Sequence, residues 1–265
     1  MIYIVCALHC EAKPLIDNYK LSLEQDAVFP VFSNEQIKVI VAGIGKISTA
    51  AAMAYLYARN QELPYCAWLN VGIAGHKRLP LGSLVNVNKI SDDSMNWYPV
   101  RQENSKQLGV ELITVDAPVE CYESEALVDM EASAFMATAL RFSPVELLQV
   151  LKVISDNEEN HIDKINKKQV QQLIEKNLGQ IRETINWLQM QVDLFAEIYV
   201  DSELYQQCVN QWHFSHYQQK QLKRLLQRWQ ALNENPQFFQ VQALSNAKQV
   251  LSFVENEVNQ MPVEY

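Results

Sequence analysis

Four carboxylates stand where this chain should be burying apolar side chains. In Ala126-Leu-Val-Asp-Met-Glu-Ala-Ser-Ala134, Asp129 and Glu131 flank Met130 where an apolar strand-like run gives way to an Ala-rich helix. Charged side chains are seldom left in a core without a partner, and the neighbours Leu127, Val128, Ala132 and Phe135 all favour burial. Glu11 follows the apolar run that opens the chain, and Asp156 closes the run Val145-Glu-Leu-Leu-Gln-Val-Leu-Lys-Val-Ile-Ser-Asp156. Acids at the carboxyl ends of buried strands lie where open α/β sheets place their ligands. Residues of this type hold or move protons as general acids and bases. A plainer account exists for each acid alone. The dipole at a helix N-terminus favours Asp129 or Glu131 by about 0.3–1 kcal/mol, and Asp156 could cap the turn Asn157-Glu-Glu-Asn160. That account weakens when all the acids must be explained together.

The elements that would position these acids follow from hydrophobic periodicity. Residues 2–8 form a short continuous apolar run, the pattern of a strand buried on both faces. A helix is expected from Ala12, with Pro14 in its first turn, where a missing N–H costs little. Further strands are predicted near 27–32, 36–42, 66–71, 83–90, 110–115 and 146–154, and helices over 46–59, 131–141 and about 164–190. In the last helix Val170, Leu173, Ile174, Leu178, Ile181, Ile185 and Leu188 keep helical spacing. This alternation predicts an α/β layer fold with a mostly parallel or mixed central sheet. Gly43, Gly45, Gly72, Gly75 and Gly82 each fall near the end of an apolar run, where backbone turns sharply or approaches a ligand. Val41-Ala-Gly-Ile-Gly-Lys46 is not a Walker loop, which would need Gly for Ile40 and Ser or Thr for Ile47. As a dinucleotide fingerprint it carries Ser48 at the third glycine. It reads as a strand–turn–helix junction.

Six segments, in order, resemble the nucleoside phosphorylase and nucleosidase superfamily, and most of all its methylthioadenosine/S-adenosylhomocysteine nucleosidases. They are Ala7-Leu-His-Cys-Glu11, Val41-Ala-Gly-Ile-Gly-Lys-Ile-Ser-Thr-Ala50, Leu69-Asn-Val-Gly-Ile-Ala-Gly75, Leu81-Gly-Ser-Leu-Val85, Val128-Asp-Met-Glu-Ala132 and Val153-Ile-Ser-Asp156. The resemblance implies a three-layer αβα domain with a mixed central sheet over residues 1–192. It also implies cleavage of the N-glycosidic bond of a purine nucleoside or thionucleoside, with no cofactor and no metal. Asp156 would protonate the purine at N7, with Ser155 orienting it, and must therefore hold a proton near neutral pH in a desolvated site. Glu131 would accept hydrogen bonds from the ribose hydroxyls, Met130 would pack on the sugar, and Glu11 would activate the attacking water. Asp129, Gly72 and Ile73 are expected beside them in the substrate site. Phosphorylases of the superfamily carry an arginine where Asn70 stands, so the resemblance favours water over phosphate as nucleophile. The nucleosidases carry a hydroxyl residue at the position of Ile73, and the stretch from Asp92 to Met130 is shorter here than in that family. Thr114-Val-Asp-Ala-Pro-Val119 is the expected remnant of the base-contacting strand end. Phosphorolysis, or nucleoside binding by a catalytically weakened scaffold, remain the alternatives.

Composition frames this reading. The chain has 265 residues, 48% of them hydrophobic, and a net charge of −9 that argues against nonspecific nucleic-acid binding. No apolar run approaches the roughly 20 residues that a membrane span needs. The first residues show no basic segment or small-residue cleavage site and read as a strand rather than a signal peptide. Cys6, Cys10, Cys66, Cys121 and Cys208 show no CxxC spacing and suit free thiols in a reducing cytoplasm. His213 and His216 have HxxH spacing without further ligands nearby and read as surface or capping residues. From residue 193 to 265 the character changes to a Gln-, Asn- and aromatic-rich helical extension. Ser215-His-Tyr-Gln218 has capping-box form, Leu222, Leu225, Leu226, Trp229 and Leu232 trace one helix face, and Asn233-Glu-Asn-Pro236 should stop that helix. Ala243–Val258 reads as another helix. The apolar stripe must be buried against the core, another subunit or a partner protein. Lys220, Lys223, Arg224 and Arg228 suit a solvated face better than a docking patch. Self-association is expected from the resemblance.

Overall fold

A computed structural model describes residues 1–60, 66–100, 109–119, 121–160, 165–198, 203–232 and 244–260. The chain forms two compact units, Met1–Phe195 and Ala196–Tyr265.

The first unit begins with β1 (Ile2–Cys6), whose five residues are all buried, and α1 (His9–Asn18). There follow β2 (Ser22–Leu23), β3 (Val31–Ser33), β4 (Ile37–Val41), α2 (Lys46–Ala58), β5 (Ala67–Gly75), β6 (Leu84–Ser91), β7 (Asn96–Trp97), β8 (Gly109–Thr114) and β9 (Leu127–Asp129). α3 (Ala132–Ala139), β10 (Leu148–Asp156), α4 (Lys167–Lys176) and α5 (Leu178–Ile198) complete the element order. The strands form one mixed sheet in the order β10-β6-β8-β9-β5-β1-β4-β3-β2, and an extra β5–β10 pairing joins strands from opposite parts of that path. β1 pairs in parallel with β4 and β5, and β5 pairs in parallel with β10.

Period-two alternation along the buried strands builds a core on each face. Tyr3 and Val5 of β1 pack with Met53, Leu56, Phe135 and Met136 of α2 and α3. Ile2, Ile4 and Cys6 point the other way, to Leu15, Ile174, Ile181 and Leu188 of α1, α4 and α5. The result is the expected helix–sheet–helix layering.

Local structure departs from the sequence reading at several points. α1 starts at His9, so Glu11 lies in its first turn and Pro14 sits inside the helix, not in that turn. The strand expected from residue 27 begins only at Val31, after Pro30. The helix expected over 164–190 is two helices, α4 and α5, divided at Asn177, and its first expected residue lies outside the described ones. The Asn177 amide donates to the carbonyls of Gly82, at 2.9 Å, and Leu173, at 2.8 Å. A side chain bonded to the preceding turn ends a helix that periodicity alone would continue.

The second unit contains α6 (Glu203–Gln211), α7 (His216–Leu232) and α8 (Ala247–Gln260). Ser215 caps α7 reciprocally: its N–H donates to Gln218 Oε1 at 2.9 Å, and its Oγ accepts from the Gln218 N–H at 3.3 Å. Leu222, Leu226 and Trp229 are buried with Leu204, Cys208, Val250, Leu251 and Val254. The stripe is thus covered from within the extension except at its end, where Leu232 is exposed. The expected stop at Asn233–Pro236 and the expected helix start at Ala243 lie outside the described residues. No described helix is long and apolar enough to cross a membrane.

Candidate active site

The carboxyl ends of β1, β5 and β10 open into a cleft enclosing about 710 Å³ of empty space, part of it open to solvent. Glu11, Glu131 and Asp156 all line it, together with Asp129, Met130, Ser155 and Ile73. Residues 145 positions apart in the chain, Glu11 and Asp156, reach one hollow because parallel strands of a single sheet end side by side. Gly72 does not line the cleft but sits behind it, where a Cβ would come within 3.0 Å of Glu11 Oε1 and 3.5 Å of Lys152 Nζ.

Glu11 is held by two backbone donors. Oε2 accepts from the Leu8 N–H at 2.8 Å, and Oε1 accepts from the Ile73 N–H at 3.0 Å. Burial nevertheless dominates those bonds and the nearby Lys152 charge, and pushes Glu11 up from 4.5 to about 7. Glu131 Oε1 accepts from the Gly45 N–H at 2.8 Å. Gly43 and Gly45 take φ of 88° and 94°, the left-handed region that suits glycine, and this turn aims the amide at Glu131. Burial raises Glu131 too, with Lys152 opposing and Asp129 reinforcing the shift.

Asp129 differs from the other three. Its Oδ1 accepts from Thr114 Oγ1 at 2.8 Å, while Oδ2 accepts from the Ala132 N–H at 2.9 Å and lies 2.8 Å from Lys152 Nζ. This ion pair is almost wholly buried, with side-chain exposures of 1% for Lys152 and 0% for Asp129. Burial works against the Lys152 charge, but Asp129, Glu131 and Glu11 outweigh it and raise the lysine above its ordinary range. Asp129 therefore meets protein donors on both oxygens.

Asp156 is 3% exposed and accepts from two hydroxyls, Ser155 on Oδ1 and Tyr122 on Oδ2. The apolar wall near it comes from Val115, Pro118 and Val119 on the segment after β8. Asn70, expected as the marker of water over phosphate, is buried in β5 and donates its amide to the Val5 carbonyl at 3.0 Å.

The sequence reading includes neither Lys152 nor Tyr122, and takes in Thr114 only as the first residue of the expected base-contacting strand end, whereas its hydroxyl donates to Asp129. Lys152 carried a usable signal, a lone cation in the apolar run Val150-Leu-Lys-Val-Ile154. Tyr122 carried none, standing between exposed Cys121 and Glu123 in an irregular stretch. Among the described residues no group of acids, histidines and cysteines is arranged to hold a metal ion, and His213 is exposed.

Sheet order and layering give a three-layer αβα domain of nucleoside phosphorylase-like fold. More particularly, the chain shares the fold of the methylthioadenosine/S-adenosylhomocysteine nucleosidases. It is similar to the apo structure of the 5′-methylthioadenosine nucleosidase of Arabidopsis thaliana, with a TM-score of 0.60, 16% identity, and coverage of 71% of this chain and 95% of that one. The Colwellia psychrerythraea nucleosidase in complex with adenine gives a TM-score of 0.55 at 18% identity, covering 71% and 93%. That of Campylobacter jejuni gives 0.55 at 16%, covering 72% and 98%. No family model and no curated protein matches the sequence.

Proposed function

We propose that this chain hydrolyses the N-glycosidic bond of a purine nucleoside or thionucleoside. The observation that carries the proposal is the meeting of Glu11, Glu131 and Asp156 on one cleft. Bond cleavage builds oxocarbenium character on the sugar and negative charge on the base, so it needs an acid above, a base below and a grip on the ribose. Glu11 takes a proton from the attacking water, a role suited to a carboxylate that burial holds near pH 7. Glu131, fixed by the Gly45 amide, accepts from the ribose hydroxyls, and Met130 packs on the sugar. Asp156, oriented by Ser155, is the source of the proton for the base. Asp129 acts as a positioning residue: it neutralises Lys152 and ties β9 to the first turn of α3. Lys152 in turn supplies the positive charge that lets several acids share a dry site.

Water is favoured over phosphate as nucleophile because the described cleft lining contains no Lys or Arg, and the Asn70 amide is already engaged. The relatives named above are nucleosidases in their own right, and their shared fold supports the same class of substrate here. Self-association belongs to the same proposal and is checked by light scattering. The decisive experiment incubates the pure protein with a purine nucleoside and thionucleoside panel, with and without phosphate, and measures free base. Release without phosphate is expected. Strict phosphate dependence would make the enzyme a phosphorylase, and saturable binding without release would make it a nucleoside-binding scaffold.

A further inference from the structure

Tyr122 has no part in the roles assigned so far, yet its hydroxyl donates to Asp156 Oδ2. Its neighbours Cys121, Glu123 and Ser124 are exposed, whereas Tyr122 is 7% exposed and lines the cleft. Ser155 occupies one Asp156 oxygen and the Tyr122 hydroxyl occupies the other. Gly75 makes room for this contact. A Cβ there would overlap the phenol oxygen and come within 2.7 Å of both Tyr122 Cζ and Asp156 Oδ2. The segment is tethered three residues further on. His76 Nδ1 accepts from the N–H groups of Arg78 and Leu79 at 3.0 and 2.9 Å, so Nε2 carries the ring proton and donates to the Glu125 carbonyl at 2.9 Å.

We propose that Tyr122 and Asp156 act in series, the phenol rather than the carboxyl handing the proton to the departing base. The assignment rests on the nucleosidase reading above. As the C–N bond breaks, its electron pair passes to the base, and a base nitrogen takes the phenol proton. The phenol oxygen simultaneously takes the proton held by Asp156, which is left as a carboxylate accepting from two hydroxyls. Water adds to the anomeric carbon and gives its proton to Glu11, and exchange with solvent returns a proton to Asp156. Burial pushes the Tyr122 hydroxyl above its ordinary range, so in the relay the phenol gives up its proton only as another arrives from Asp156.

The test compares two leaving groups on wild type, Y122F, D156N and the double variant. One substrate is a purine nucleoside, which needs a proton on the base. The other is 4-nitrophenyl β-ribofuranoside, whose leaving group departs unprotonated. Y122F should lower kcat for the nucleoside by about 10²-fold or more, the size of a general-acid contribution, leave KM little changed, and spare the nitrophenyl substrate. The double variant should be no slower than the slower single one, because groups in series are not additive. Gly75→Ala, whose Cβ would push apart the phenol and Asp156 Oδ2 while keeping both side chains, should reproduce the leaving-group-selective loss. Equal losses on both substrates would mean a structural role and overturn the relay. A faster Y122F would make the phenol an obstruction, and multiplied losses in the double variant would make the two groups independent; either result overturns it. Wild-type protein that releases neither leaving group overturns the hydrolase reading itself, and the relay with it.

Discussion

At the scale of single residues, the site is a set of charges that depend on one another. On the proposed mechanism Glu11 must be ionised to take a proton from water, and burial holds it at about 7. Activity should therefore climb with pH, with the lower limb of kcat/KM half-complete near pH 7. Stability should move the opposite way. Between about 4.5 and 7 the folded protein keeps a Glu11 proton that the unfolded chain has released, so stability falls as pH rises through that window. Glu11→Gln should abolish base release and flatten this slope, read by urea unfolding at several pH values; an unchanged slope would assign it to another group. Lys152 makes the complementary case. Lys152→Met leaves Asp129 buried and unpaired, which costs about 3–5 kcal/mol when one partner of a buried pair is lost. Replacing both, as Lys152→Met with Asp129→Asn, should recover much of that loss in the same urea experiment. In any folded Lys152→Met protein the activity limb should shift above pH 7, because the cation now opposes the rise of Glu11. The acids were legible in the sequence because charge in an apolar run demands a reason. Lys152 obeys the same logic, since a lone cation between Leu151 and Val153 equally demands a buried partner. That Asp129 spends its oxygens on Thr114, Ala132 and Lys152 could not be read without knowing that β8, β9 and β10 share a sheet.

At the scale of elements, what positions the site is turns rather than long helices. The β4–α2 turn was legible, since two glycines between an apolar strand and an Ala-rich helix leave few alternatives. Its purpose was not, because the Gly45 amide meets Glu131 across 86 residues of chain. The segment between β8 and β9 was the least legible part, being irregular and held by His76, Glu125 and Tyr122 rather than by periodic packing. Gly45→Ala isolates the turn's contribution. A Cβ at Gly45 meets nothing within 4 Å, so the cost comes from the backbone alone, about 1–3 kcal/mol for an L-residue held at φ 94° and ψ 165°, a region almost reserved for glycine. If the turn relaxes to relieve that strain, the amide leaves Glu131 and the proposed anchor for the ribose is lost. Nucleoside KM should then rise more than kcat falls, with the nitrophenyl riboside affected equally because both substrates carry the same sugar. A loss confined to the nucleoside would show that this turn serves the base instead. Asn177 shows the opposite kind of miss. Apolar residues kept their helical phase on both sides of it, so only its amide bonds to Gly82 and Leu173 reveal the break.

At the scale of the whole molecule, the chain is an αβα unit that shares the nucleosidase fold, followed by a helical one with a core of its own. The sequence required that the α7 stripe be buried but left its cover open. The structure supplies the cover within Ala196–Tyr265, where Leu222, Leu226 and Trp229 meet residues of α6 and α8. This narrows any proposal of a protein partner at the extension, since the stripe is already spent on folding the unit. Leu226 is fully buried at its centre. Leu226→Ala should therefore cost about 2–5 kcal/mol through lost transfer energy and a residual cavity. Hydrogen exchange followed by mass spectrometry on the full chain locates that cost. Amides of α6, α7 and α8 should lose protection, whereas those of β1, β5 and β10, whose carboxyl ends open into the cleft, should keep theirs, and base release should persist. Loss of protection spreading equally into the sheet would show one cooperative fold, and the extension would then be a structural part of the enzyme rather than a separate unit.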